Sequence, residues 1–396
     1  MAILAINGGT PAVPGGLKVK WPIFDDTDRQ ALLKVFESGS WNNKVQIEMF
    51  TSEFARYHDA KYGLALGSGT VGLETGLRAG GIEVGDEVIV PALTFVATAY
   101  AVTLVNAIPI FVDVHPDTYC LDPDAVESAI TPKTRAILTV HYGGYPSDMD
   151  RLIEIAERHN LFIVEDCAHA HGTEWRGRKV GAIGSAGAFS FNISKSLTAG
   201  EGGIMITNSK EISSLHYLHH RSSPMTAFQA AVLRTQLKRL PAQVDLRHET
   251  GEYLAEELEK IGGVRPLLRD PRITKRGYYF FIIRYDPSQF NGVSRDKFIE
   301  ILRKEGIPAE NGLGVPLHKQ PVFLEKNIGE GGYPRNFCQY FGIVDYSKVS
   351  CPISEHAYDK EQITIDANLL LGGKPHADAI IKTIVKIKEN IDEVKK

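Results

Sequence analysis

The chain has 396 residues, 43% of them hydrophobic and 23% charged, with a formal net charge of −4. That composition fits a globular protein and excludes a disordered or fibrous one, and the slight acidity offers no electrostatic footprint for nucleic acid. The length exceeds what one ordinary core sustains, so two domains are expected, and no apolar run reaches the roughly 18–20 residues that cross a bilayer.

The opening stretch, MAILAINGGTPAVPGG, lacks the basic region and apolar run of a secretory signal. The four cysteines, Cys120, Cys167, Cys338 and Cys351, form no CxxC pair and read as reduced thiols. Both features point to a cytoplasmic protein.

From residue 60 to residue 210, short apolar runs alternate with amphipathic helices. Strands are expected at Glu87–Pro91, Pro109–Val114, Ala136–Val140, Phe162–Glu165, Gly187–Phe191 and Gly203–Thr207. Most show no period-2 alternation, as befits strands buried on both faces of a parallel sheet. Asp148–Asn160, with Leu152, Ile153 and Ile155 as its apolar stripe, is the expected crossover helix. The texture changes near residue 240. A long helix over Gln243–Ile261 leads to a strand at Tyr278–Arg284 and helices at Ser294–Glu305 and Ala377–Ile391. The reading is a large domain over residues 1–245, which includes the N-terminal segment, and a smaller α+β domain over residues 246–396.

Four segments could carry chemistry at the carboxyl ends of such strands. In FIVEDCAHAHG, Asp166 stands where a strand ends; it can face a protonated ring nitrogen, or simply cap the turn that follows. In GAFSFNISKSLTAGEGG, Lys195 sits among small residues that leave room for a ligand. A partly desolvated amine there loses its proton readily and can form a Schiff base. Ser190 and Ser194 beside it can donate to a phosphate. In ALGSGTVGLET, Gly67–Thr70 reads as a helix N-terminus suited to a phosphate, or as an ordinary N-cap. In PALTFVAT, Phe95 can stack on a flat ring or belong to the core. His141, His169 and His171 have no cysteine or carboxylate partners at zinc-like spacing, so no metal is expected. GxSxG is absent, which argues against a hydrolase elbow.

Together the segments AINGGTPA, SGSW, GSGT, VIVPALTFVAT, VEDCAHAHG, FSFNISKSLTAGEGG, MTAFQAAVLRTQLKRL and PLHKQP resemble the DegT/DnrJ/EryC1/StrS sugar aminotransferases. This is a fold-type I family that uses pyridoxal 5′-phosphate (PLP). VHYGG, DCAHAHG, LTAGEGG and LLLGGK are similar to the branch holding 3-amino-5-hydroxybenzoate synthase and scyllo-inosose aminotransferase. The resemblance implies an α/β large domain with a mostly parallel sheet flanked by helices. It makes Lys195 the Schiff-base lysine and proton carrier, and pairs Asp166 with the pyridine nitrogen. His169 would reach the phenolic oxygen, Phe95 would stack on the ring, and Gly69, Thr70 and Ser190 would hold the phosphate. His318 would lie near the substrate.

The implied activity is transfer of an amino group from glutamate or glutamine to a keto sugar or keto-cyclitol by a cytoplasmic homodimer that binds neither nucleic acid nor membrane. The alternative is a PLP-dependent dehydratase or aromatising lyase of the 3-amino-5-hydroxybenzoate synthase type. A non-catalytic scaffold is disfavoured by the intact pair Lys195 and Asp166. One departure stands out. LHYLHHRSSPMTAFQ runs straight through the place where the family carries an Asn and an Arg after a longer loop, with Ser222, Ser223 and Pro224 there. The phosphate ligand from a neighbouring subunit is therefore not assigned.

Overall fold

A computed structural model describes residues 3–214, 223–324 and 344–394, so Cys338 and most of the LHYLHHRSS stretch lie outside the described residues. The large sheet has seven strands: β1 Tyr62–Leu66, β2 Glu87–Pro91, β3 Ile108–Val112, β4 Thr134–Val140, β5 Phe162–Asp166, β6 Ala186–Ser190 and β7 Gly203–Thr207. Their spatial order is β1-β7-β6-β5-β4-β2-β3. All run parallel except β7, which pairs antiparallel with both β1 and β6. The expected β7 is thus present but reversed. A strand buried on both faces reads as the same apolar run in either direction, so sequence pattern does not encode its sense.

Helices cover both faces. On one lie α2 (Lys44–Tyr57), α5 (Met149–His159) and the first half of α6 (Ala227–Glu259). Their Phe50, Phe54, Leu152, Ile155, Leu233 and Leu237 pack on Ile137, Ile163 and Phe189. On the other lie α3 (Gly69–Ala79) and α4 (Ala97–Leu104), whose Leu73, Leu77 and Val102 meet Val88, Leu138 and Val164. Neighbours Ile137 and Leu138, like Ile163 and Val164, serve opposite cores. Two-sided burial is why these strands lack polar alternation.

Helix α5 begins at the Asp148 cap, whose side chain accepts from the Arg151 amide, and ends at Asn160 in the left-handed region. Helix α6 is longer than expected. It starts at a capping box between Thr226 and Gln229 and continues through Pro241 for 33 residues. Pro241 is exposed, so water can meet the carbonyl its ring leaves without a donor.

The second half of α6 joins a four-stranded antiparallel sheet. With β8 Val264–Pro266, β9 Phe280–Tyr285, β10 Ala309–Glu310 and β11 Gln362–Asp366, its order is β8-β9-β11-β10. Helices α7 (Arg295–Lys304) and α8 (Gly373–Glu389) pack on it through Phe298, Leu302, Ile380 and Ile384. The N-terminal segment, expected with the large domain, belongs to this second core: Leu4 and Leu17 are buried in it. A fully buried carboxylate ties it down. Glu305 accepts from the amides of Ala5 (2.8 Å) and Ala12 (2.7 Å) and pairs with Lys386 Nζ at 2.7 Å. Three donors on one carboxylate offset the cost of burying its charge.

Candidate active site

Strands β1, β2, β5 and β6 end at one rim of the sheet, and the chain segments leaving them enclose a cavity of about 310 Å³. From β1 come Ser68, Gly69 and Thr70 at the start of α3, and from β2 come Thr94 and Phe95. Asp166 ends β5, with His169 just after it. Ser190 ends β6, and Lys195 follows on the same loop. Every one of the expected site residues except His318 lines this cavity.

Asp166 is buried, and its two oxygens are held from different sides. Oδ1 accepts from the Ala168 amide at 3.1 Å and Oδ2 from the Thr98 hydroxyl at 2.9 Å. Thr98 lies in the first turn of α4 and is backed by Thr94 at 3.1 Å. The carboxylate therefore performs the local turn-capping role and still faces the cavity. Burial pushes its pKa above the usual carboxylate range, against the lowering effect of the Ala168 amide, the Thr98 hydroxyl and the nearby Lys195. Such a group is poised to gain from a cationic partner.

Lys195 is partly buried, and burial lowers its pKa to about 8 while Asp166 opposes the shift. Its Nζ lies 4.1 Å from the centroid of the Tyr279 ring, which in turn stacks on His169 at 4.2 Å and 3°. The Tyr279 hydroxyl donates to Ser194 Oγ at 3.1 Å, and Ser194 is also bonded to Asn192 Oδ1, so Ser194 is already engaged. His169 is buried with its Nδ1 unpartnered, and burial first, then Lys195, holds its pKa well below the ordinary value. It is neutral at pH 7.

At the α3 end, Ser68 caps the helix by accepting from the Val71 amide at 3.3 Å. A Cβ on Gly69 would stand 2.9 Å from Ser190 Cβ and 3.2 Å from Ser190 Cα, closer than packed atoms tolerate. Glycine is what lets the helix N-terminus close on β6 and aim free amides into the rim. Phe95, 53% exposed, forms an open aromatic wall. Helix-end amides, a flat aromatic wall, a buried carboxylate, a neutral imidazole with an orphan nitrogen and a partly deprotonated amine are the donor set that PLP requires. The residues present fit that cofactor.

His318 is not brought into the cavity. It is fully buried elsewhere, with Nε2 2.9 Å from Glu355. The sequence reading also missed three residues of the cavity or its support: Thr98, Tyr279 and Glu201. Thr98 closes PALTFVAT, and the Tyr278-Tyr279 doublet opens the expected strand Tyr278–Arg284. Glu201 sits in AGEGG, where its carboxylate accepts from Asn192 Nδ2 at 2.7 Å. His141, Glu165 and Cys167 do cluster, with ligand atoms within 4.8 Å of one another. That carboxylate is already saturated by His141 Nε2 (2.9 Å) and the amides of Gly181, Ile183 and Gly184. Burial raises its pKa, but His141 and these amides outweigh burial and leave the group below its usual range. Its place is to fasten the 181–184 turn.

No helix among the described residues is long and apolar enough to cross a membrane. Comparison with known proteins adds the lineage. The chain is 37% identical over 416 residues, 99% of each chain, to a putative L-glutamine:3-amino-2,3-dideoxy-scyllo-inosose aminotransferase of Micromonospora echinospora. It is also 37% identical, over 98% of this chain and 97% of the other, to the L-glutamine:2-deoxy-scyllo-inosose aminotransferase of Streptomyces kanamyceticus. Among solved structures, 3-amino-5-hydroxybenzoic acid synthase superposes with a TM-score of 0.83 at 29% identity, covering 95% of this chain and 100% of the other. Residues 22–336 match the sequence profile of one family, and the chain belongs to it: the DegT/DnrJ/EryC1/StrS aminotransferases, which are PLP enzymes of fold type I.

Proposed function

We propose that this aminotransferase moves nitrogen from L-glutamine to a keto-cyclitol, acting as a cytoplasmic homodimer. The donor and acceptor classes rest on the end-to-end likeness to enzymes named for those substrates. The observation that carries the site assignment is the amine of Lys195, lowered to about 8, sharing one cavity with the buried carboxylate of Asp166. Bound PLP supplies an electron sink that makes the α-proton of an amino acid removable.

The protein's own groups do the rest. The amides at Gly69 and Thr70, with Ser190, would hold the phosphate at the α3 N-terminus. Asp166 would supply the negative charge that keeps the ring nitrogen protonated, His169 would donate to the ring's oxygen, and Phe95 would offer the ring an aromatic surface. Lys195, as a neutral amine, takes the proton from the donor's α-carbon, and as an ammonium it returns one. Its pKa near 8 keeps both forms accessible near neutral pH.

A homodimer is supported by an apolar face on α1 (Asp26–Glu37), the turn after it and α2, where Phe36, Trp41, Val45 and Met49 are 41–58% exposed. A second reading, a lyase or aromatising synthase, has the fold-level likeness to 3-amino-5-hydroxybenzoic acid synthase in its favour. Half-reaction spectroscopy separates the two. With L-glutamine alone, a transaminase loses its visible cofactor band, and scyllo-inosose or a deoxy analogue restores it. No spectral change with glutamine or glutamate, in protein shown to hold PLP, would overturn the transaminase reading.

A further inference from the structure

A second hollow, of about 470 Å³, lies between the later part of α6 and the segment 268–276. His248 and Glu252 line it from the helix; Arg269, Asp270 and Arg276 line it from the segment. Arg276 is only 6% exposed. Its guanidinium lies 4.1 Å from the centroid of Tyr278 and 5.0 Å from that of Tyr145. Ring faces hold a guanidinium in place without using its N–H donors. Its Nε is buried with no partner, and no described residue accepts a hydrogen bond from the rest of the group.

The neighbouring charges are already matched elsewhere. Glu252 takes Arg269 Nε at 3.3 Å, and Asp270 takes Arg272 Nη2 at 2.6 Å. Burial, the largest effect on His248, keeps its ring neutral at pH 7. Among the described residues Arg276 has no ion-pair partner; its Nε is enclosed while its terminal nitrogens open to the hollow, where an anion would supply the missing acceptor. A second orphan lies nearby: the Tyr145 hydroxyl is buried without a partner beside an adjoining cavity that shares Leu268 and Asp270 with this one. A donor-only guanidinium beside apolar Leu268, Pro271 and Ile273 selects an acceptor-rich anion with room for a carbon skeleton.

We propose that this hollow is a second ligand site, separate from the catalytic cavity, that takes a small carboxylate or phosphate anion on Arg276. Titration calorimetry of the PLP-loaded protein, with citrate and separately with inorganic phosphate in carboxylate-free low-salt buffer, tests it. One saturable site per chain is expected for at least one anion. Binding of citrate alone marks an organic carboxylate as the occupant, and binding of phosphate marks a phosphate. Arg276→Gln should weaken binding by about tenfold or more, the loss of one charge-assisted pair. Arg269→Glu at the exposed rim, which spares the buried cation and its packing, should weaken it severalfold even where Arg276→Gln fails to fold. Absence of saturable binding for both anions, or affinities unchanged in both variants, would overturn the proposal.

Discussion

Before the cofactor is loaded, Lys195 is an amine whose pKa falls from 10.5 to about 8 through burial, with Asp166 holding it from falling further. At pH 7 about one molecule in ten then carries the free amine, roughly 300-fold more than for an exposed lysine. The shift has a stability counterpart. Because the folded pKa lies below the unfolded one, the charged lysine costs the apoprotein up to about 3 kcal/mol below pH 8, and the cost is relieved as pH rises from 8 to 10.5. Replacing Asp166 with Asn removes the anion that favours the ammonium, so the midpoint for amine release should move to lower pH. The assay is the rate at which apoprotein captures PLP, followed by growth of the visible band between pH 6 and 10. Wild type should rise with a midpoint near 8. Asp166→Asn should show a more acidic midpoint and faster capture at pH 7, while its turnover falls. A wild-type midpoint near 10, or an alkaline shift in the variant, would refute the electrostatic account of this pair.

Asp166→Ala should lower turnover by about 10³-fold or more and cost about 1–3 kcal/mol of stability, since the Ala168 amide and the Thr98 hydroxyl lose their acceptor; steady-state kinetics and denaturant unfolding check both. Gly69→Ala forces a Cβ to within 2.9 Å of Ser190 Cβ and should weaken PLP binding by about tenfold, measured by PLP titration of apoprotein. Glu305→Ala leaves Lys386 and the amides of Ala5 and Ala12 without their acceptor, and should cost about 3–5 kcal/mol by denaturant unfolding. Trp41→Asp puts a charge in the exposed apolar face and should shift the protein toward monomer in analytical ultracentrifugation.

The rim of the candidate site was readable because each of its parts is a local event. A strand that stops at Asp166, a strand that runs into a Ser- and Gly-rich loop before Lys195, and a glycine helix start at Gly69 are each signalled within about ten residues. What escaped reading depends on distant partners. Thr98 matters because α4 brings its hydroxyl to Asp166, 68 positions away. Tyr279 matters because the start of the second sheet folds over His169. His318 read as a site residue by motif, yet tertiary packing pairs it with Glu355. The reversed sense of β7 and the passage of α6 through Pro241 share one cause: hydrophobic pattern reports burial, not direction or the solvent that rescues a freed carbonyl.

The clamp on Glu305 also bears on how the chain is made. Apart from local turns, Leu4, Ala5, Ala12 and Leu17 are held by residues beyond position 250: Ala5 and Ala12 donate to Glu305, Leu4 to Glu393 and Leu17 to Gly306. On a ribosome adding roughly 5–20 residues each second, residues 4–17 wait on the order of tens of seconds for residues 305 and 393 to arrive. Meanwhile the seven strands of the large sheet, all contained in residues 62–207, have their own partners in hand. Synthesis order therefore favours a large sheet that forms before residues 4–17 and the segment beyond residue 250 close the smaller core together. Stalling translation before residue 305 should leave residues 3–17 open to protease while the sheet is already protected.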